Sequence, residues 1–132
     1  MILVEFLLIR LMKMNKRPYT LIIDIDGTLI KHSGDICHQY TEEIEILPGV
    51  IEKWKEFDIA GHNIILITGR RESNRKFIEE KLQDAGLFWD QLIMGVGGGN
   101  RILINDLKPL SEEPTAIAIN VRRNTGLKDI KI

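Results

Sequence analysis

The string Leu21-Ile22-Ile23-Asp24-Ile25-Asp26-Gly27-Thr28-Leu29-Ile30 decides how the chain is read. Leu21 to Ile23 is an apolar run of β-formers, the pattern of a strand buried on both faces, and it ends abruptly in two carboxylates one residue apart. Strand side chains repeat every two residues, so Asp24 and Asp26 point to the same side if the pleat persists that far. Like charges that close repel, and a fold tolerates them only with an offsetting agent, either a bound divalent cation or a proton on one carboxylate. Gly27 lets the backbone turn or approach a ligand, and Thr28 adds a hydroxyl and an amide. The expectation is an anion and metal site at the C-terminal end of a strand. Asp and Gly are also ordinary turn residues, so a strand that merely ends in a polar loop is the competing reading of these ten positions.

Outward from that string, the chain alternates strand and helix signals. Lys31 to Ile46 is polar and irregular, which suits a small hairpin or flap over the site; His32 and His38 lie within it. Pro48-Gly49 opens a helix to about Ile59, with Val50, Ile51, Trp54 and Phe57 on one stripe, and Gly61 stops it. Ile64 to Ile67 is a second apolar strand and ends in Thr68-Gly69-Arg70-Arg71. A helix from about Ser73 to Ala85 follows, with Phe77, Ile78, Leu82 and Ala85 inward and Lys76 paired with Glu80. Leu92 to Met94, Arg101 to Asn105 and Thr115 to Val121 read as three further strands, the first two joined by the glycine-rich loop from Gly95 to Asn100. Strands alternating with helices predict an α/β fold: a three-layer, Rossmann-like parallel sheet of about five strands with helices on both faces. Ligands in such sheets bind beyond the carboxyl ends of the strands, where Asp24 to Thr28, Thr68 to Arg70 and Asn105-Asp106 would gather.

The 132 residues suit one domain and carry 18 basic against 19 acidic side chains, so charge does not indicate nucleic acid or a membrane surface as partner. The single Cys37 cannot form an internal disulfide, and a cytoplasmic, reducing setting is the default. Residues 1–13 form a separate apolar N-terminal segment, too short to span a bilayer and without the charge order of a signal peptide. A packed helix, a surface anchor and a leader ahead of Met14 all remain open for it.

The string hhhDxDGTL at Leu21 to Leu29 resembles the first motif of the haloacid dehalogenase superfamily of phosphotransferases, the HAD-like hydrolases. Thr68 in Ile65-Leu66-Ile67-Thr68-Gly69-Arg70 resembles its second motif, and Asn105-Asp106 its last, with Asn105 in place of the usual first acid. The resemblance runs in order from about Tyr19 to Val121 and implies that residues 14–132 are a single HAD-like phosphatase core. Too few residues follow Thr28 or Met94 for a cap module, so the resemblance is to a small capless member.

What the resemblance implies is a Mg²⁺-dependent phosphate monoester hydrolase acting through an aspartyl-phosphate. Asp24 would be the nucleophile and Asp26 the acid and base, with Asp24, Asp106 and the backbone carbonyl of Asp26 holding the metal. Gly27, Thr28, Thr68, Gly69 and Arg70 would hold the phosphate. The cation usually found after the third strand has no lysine here. Arg101 is the nearest candidate, although it begins a strand whose five-residue span of roughly 16 Å would carry it from the site unless the glycine loop folds back. Arg70 and Lys108 are its substitutes. The partner would be a phosphorylated substrate, such as a phosphosugar or an exposed macromolecular phosphate, with the open site left bare or covered by a neighbouring subunit in a homo-oligomer. The alternative is a domain of the same fold that binds metal or phosphate, or acts as a scaffold, without turnover.

Overall fold

The fold is described from a computed structural model, which places residues 2–5, 7 and 17–132. The readings of residues 1–13 as packed helix, anchor or leader fall largely outside the described residues; Ile2, Leu3, Val4 and Leu7 are exposed.

Three strands form a parallel sheet in the order β1 (Thr20–Asp24), β2 (Asn63–Ile67), β3 (Gln91–Ile93). Parallel neighbours need crossovers, and these are the helices α2 (Val50–Ala60) and α3 (Arg75–Asp84); a single turn, α1 (His38–Thr41), interrupts the loop after β1. Both long helices sit close to where periodicity predicts them. Gly61 ends α2 in the left-handed region, and a short 3-10 turn at Glu72–Asn74 leads into α3. The ion pairs of α3 differ from expectation: Arg75 takes Glu72 and Glu79, and Lys81 takes Glu43.

Registration explains how the core is built. Leu21 and Ile23 of β1 lie beside Ile64 and Leu66 of β2, and Leu66 lies beside Leu92 of β3. This face packs with Val50, Trp54 and Phe57 of α2 and with Ile78 and Leu82 of α3 in one cluster. Trp54 satisfies its indole N–H on the carbonyl of Phe88 at 2.9 Å, so its bulk is buried without stranding a donor. The opposite face pairs Ile22 with Ile65 and Ile67 with Ile93, and Ile22 and Ile93 remain about half exposed.

Two expectations are corrected here. Five strands and three layers were expected; among the described residues the sheet has three strands, and its buried face alone carries both helices. Strand order 1-2-3 contains no reversal, so right-handed crossovers put α2 and α3 on the same face. Arg101 to Asn105 and Thr115 to Val121 are apolar enough for strands but form no ladder; Ile102 is 84% exposed and Ile104 88%. An apolar β-pattern becomes a strand only when an edge and a covering layer meet it, and neither string finds them.

The loop expected after β1 is present. It leaves and returns through an antiparallel bridge between Ile30 and Ile46, reinforced by Lys31 N–H donating to the Glu45 carbonyl. Its tip is pinned to the start of α3 by a 2.6 Å hydrogen bond between the hydroxyls of Tyr40 and Ser73.

Candidate functional site

Asp24 ends β1, and its ladder continues one residue further as the Ile25 N–H donates to the Ile67 carbonyl. Ile25 is fully buried while Asp24 and Asp26 are half-buried, so the pleat persists and sends both carboxylates away from the core. The chain then turns tightly. Gly27 N–H donates to the Ile30 carbonyl and Thr28 N–H to the Ile25 carbonyl, so both amides close the turn instead of standing free for a ligand.

Each carboxylate has its own hydroxyl and its own guanidinium. Thr28 Oγ1 donates to Asp24 Oδ2 at 3.1 Å, and Arg101 Nη2 approaches Asp24 Oδ1 at 3.3 Å. Thr68 Oγ1 donates to Asp26 Oδ2 at 3.3 Å, and Arg70 closes on Asp26 through Nη2 to Oδ1 at 2.8 Å and Nε to Oδ2 at 3.0 Å. The like charges are thus offset by arginines, an agent other than the metal or proton that the bare spacing suggested.

The two pairs differ in setting. Arg70 is buried, its Nη1 held by the Gln39 carbonyl and Asn74 Oδ1, and its backbone N–H donates to Thr68 Oγ1. Asn74, itself fully buried, donates to the same Gln39 carbonyl. The loop after β1 and the start of α3 therefore clamp Arg70 onto Asp26. Arg101 is 46% exposed and makes a single contact with Asp24. Burial is the main influence on Asp24 and pushes its carboxyl above its ordinary value; the Thr28 hydrogen bond and Arg101 pull it down, and nearby Asp26 pushes it up.

The sequence-derived residues are therefore brought together in part. Asp24, Asp26, Gly27, Thr28, Thr68, Arg70 and Arg101 form one cluster, with Gly69 between two of its members. The glycine loop does fold back, since Arg101 reaches Asp24 despite its place in the sequence. Asp106 does not complete a metal cluster: among the described residues no group of three His, Cys, Asp or Glu side chains is placed to hold an ion. The Asp24 carboxylate and the Asp26 backbone carbonyl are the members of the expected magnesium set at this turn, while both carboxylate oxygens of Asp26 accept from Arg70. His32 and His38 border a separate cavity of about 350 Å³ behind Arg70, beneath the loop.

Sequence reading missed the last ten residues altogether. Asn124 N–H donates to the Gly27 carbonyl, and Asn124 Oδ1 accepts from the His32 N–H, both at 2.8 Å. Arg123 lies over the turn: a Cβ on Gly27 would stand 3.1 Å from Arg123 Cγ. Asn124-Thr125-Gly126 is a legible turn signal, but nothing local says where that turn docks.

No protein-family model and no curated protein matches the chain. Among solved structures, a chain of the "Structure of Pnkp1/Rnl/Hen1 complex" is similar, with 24% identity over 67% of this chain and a TM-score of 0.53. The match covers 31% of that chain, so this protein spans under a third of its length. The likeness is one of fold: part of a protein in a multi-protein complex shares this small parallel α/β arrangement. No helix among the described residues is long and apolar enough to cross a membrane.

Proposed function

We propose that the protein is a phosphate monoester hydrolase of the HAD-like type whose nucleophile is Asp24. The observation that carries this reading is the setting of that carboxylate. It stands at the C-terminal end of a parallel strand, partly open to solvent, with one oxygen oriented by the Thr28 hydroxyl and the other beside the Arg101 guanidinium. The ordered motifs around Asp24, Thr68 and Asn105-Asp106 support the same class.

Chemically, an Asp24 oxygen attacks phosphorus in line. The new O–P bond forms as the ester P–O bond breaks, and the leaving oxygen takes the proton that Asp26 carries into the reaction. Arg101, beside the nucleophile, offsets negative charge that builds on the phosphoryl oxygens. Water then attacks phosphorus, the Asp24–phosphorus link breaks, and the proton lost by water passes to Asp26, which loosens from Arg70 to receive it. Magnesium is part of the class; the Asp24 carboxylate and the Asp26 backbone carbonyl would help to hold it, and it would offset charge on the phosphoryl group when bound, but no step here is routed through it. A titration of activity with Mg²⁺ against a chelator measures the requirement directly.

One observation favours the alternative of a domain that binds phosphate or a partner without turnover. Both carboxylates are already satisfied by arginine, and the Gly27 and Thr28 amides are spent within the turn. The deciding experiment is hydrolysis of a panel of phosphate monoesters by the wild type and by Asp24→Asn. Turnover in the wild type and its loss by at least about a thousandfold in the variant is the expected result. Equal activity in the two proteins removes the covalent mechanism, and no activity in either moves the weight to the non-catalytic domain.

A further inference from the structure

The chain after Val121 has no helix or strand, yet it is held firmly against the turn that follows β1. Leu127 is 3% exposed, and its N–H donates to the Pro48 carbonyl at 2.9 Å. Gly126, at φ +84°, passes so close that a Cβ there would lie 2.1 Å from the Pro48 carbonyl oxygen. Asn124, at φ +65°, reaches Gly27 through its backbone and His32 through its side chain. Two residues in the left-handed region, one of them not glycine, are a conformational cost offset by these contacts. The result is a clasp that places one particular side chain: the aliphatic stem of Arg123 lies along Gly27, with its Nε 3.8 Å from where a Cβ would stand.

Around that turn the cations differ in how they are used. Arg70 is committed to Asp26, and Arg101 divides its charge between Asp24 and whatever binds beside that carboxylate. Arg123 is exposed and has no carboxylate partner among the described residues, although two carboxylates flank the turn beneath it. An incoming dianion faces Asp24 and Asp26 and must be balanced by positive charge that is not already spent. A guanidinium offers a planar fork of donors suited to phosphoryl oxygens.

We propose that Arg123, presented by the C-terminal clasp, is a binding residue for the anionic phosphoryl group of the substrate. The assignment rests on the phosphate-ester reading above and adds a role to a segment which that reading leaves unused. It makes the C-terminal ten residues part of the site, with Asn124 and Leu127 as positioning residues that hold the arginine in place.

The test uses the full chain and inorganic phosphate as probe, by calorimetry and by competition against p-nitrophenyl phosphate hydrolysis. Arg123→Ala should weaken phosphate binding and raise KM by about 10- to 100-fold, as expected for loss of one charged hydrogen-bonding group. Its kcat and thermal midpoint should stay near wild type, and Arg123→Lys should recover part of the loss. Arg122→Ala removes the same formal charge one residue away and should change KM by less than about threefold. Phosphate affinity and KM unchanged in Arg123→Ala, or affinity lowered and KM raised equally in Arg122→Ala, would overturn the assignment while leaving an active wild type as evidence for the hydrolase. A wild type that neither binds phosphate nor hydrolyses the ester overturns both, and one that binds without hydrolysis, with binding lost in Arg123→Ala, keeps Arg123 while refuting turnover.

Discussion

Leu21 to Ile25 and Ile102 to Asn105 are written in nearly the same alphabet, and the fold treats them in opposite ways. In the first region, β1 is flanked by β2, and the neighbouring Ile64 and Leu66 are wholly buried beneath two helices. In the second, Ile102, Leu103 and Ile104 stand in solvent at the end of the glycine loop. The same contrast governs the charges: Arg70 grips Asp26 at 2.8 Å with its side chain 3% exposed, whereas Arg101 meets Asp24 at 3.3 Å with 46% exposed. Apolar or ionic character therefore says little about energy until the surroundings are known, because burial multiplies both packing and Coulomb terms.

Matched substitutions sharpen that comparison. The largest difference is expected between the two arginines. Removing Arg70 leaves the Asp26 carboxylate partly buried and unpaired and should cost about 3–5 kcal/mol in denaturant unfolding, while Arg101→Ala should cost at most about 1 kcal/mol. Similar losses in the two variants would mean that Asp26 is rescued by water or by rearrangement of the loop.

Close behind comes the apolar pair. Leu66→Ala should destabilise by about 2–5 kcal/mol through lost transfer energy and a residual cavity. Ile104→Ala should fall within about 0.5 kcal/mol of wild type. A large loss at Ile104 would break the comparison, since it would require that the string at 101–105 is covered in solution.

The smallest effect has a distinctive sign. Burial holds the Asp24 carboxyl above its ordinary value, so the folded chain binds that proton more tightly than the unfolded chain. The stabilisation is fully present below the unfolded carboxylate range and is lost as pH rises through the folded value. Asp24→Asn cannot ionise, and its melting temperature relative to wild type should therefore rise from acid to neutral pH. A difference that is flat with pH, or falls, would show that Thr28 and Arg101 outweigh burial.

Much of the site was legible because its determinants are local. The two-residue period of a strand sends Asp24 and Asp26 to one side, and Ile25 between them is buried as that period requires. Thr68 and Arg70 follow the next strand, and parallel registration brings Ile67 beside Asp24, which carries them to the same edge. Helix periodicity and Gly61 located α2 for similar reasons. Partners that lie far apart in sequence were not legible. The clamp of Gln39 and Asn74 on Arg70 joins residues more than thirty positions apart in the chain, and Asn124 meets His32 across 92 positions.

The sequence by itself determined that two carboxylates would stand at the end of an apolar strand in a parallel α/β fold, since side-chain periodicity and turn chemistry act over a few residues. Only the tertiary structure decided that Arg70 would be spent on Asp26 and Arg101 would face Asp24. It also decided that two strand-like strings would stay unpaired and that the chain's last ten residues would return to Gly27. The physical reason is common to all three: a sequence pattern shows what a segment is able to bury or bind, whereas the face, edge or charge that meets it comes from elsewhere in the chain.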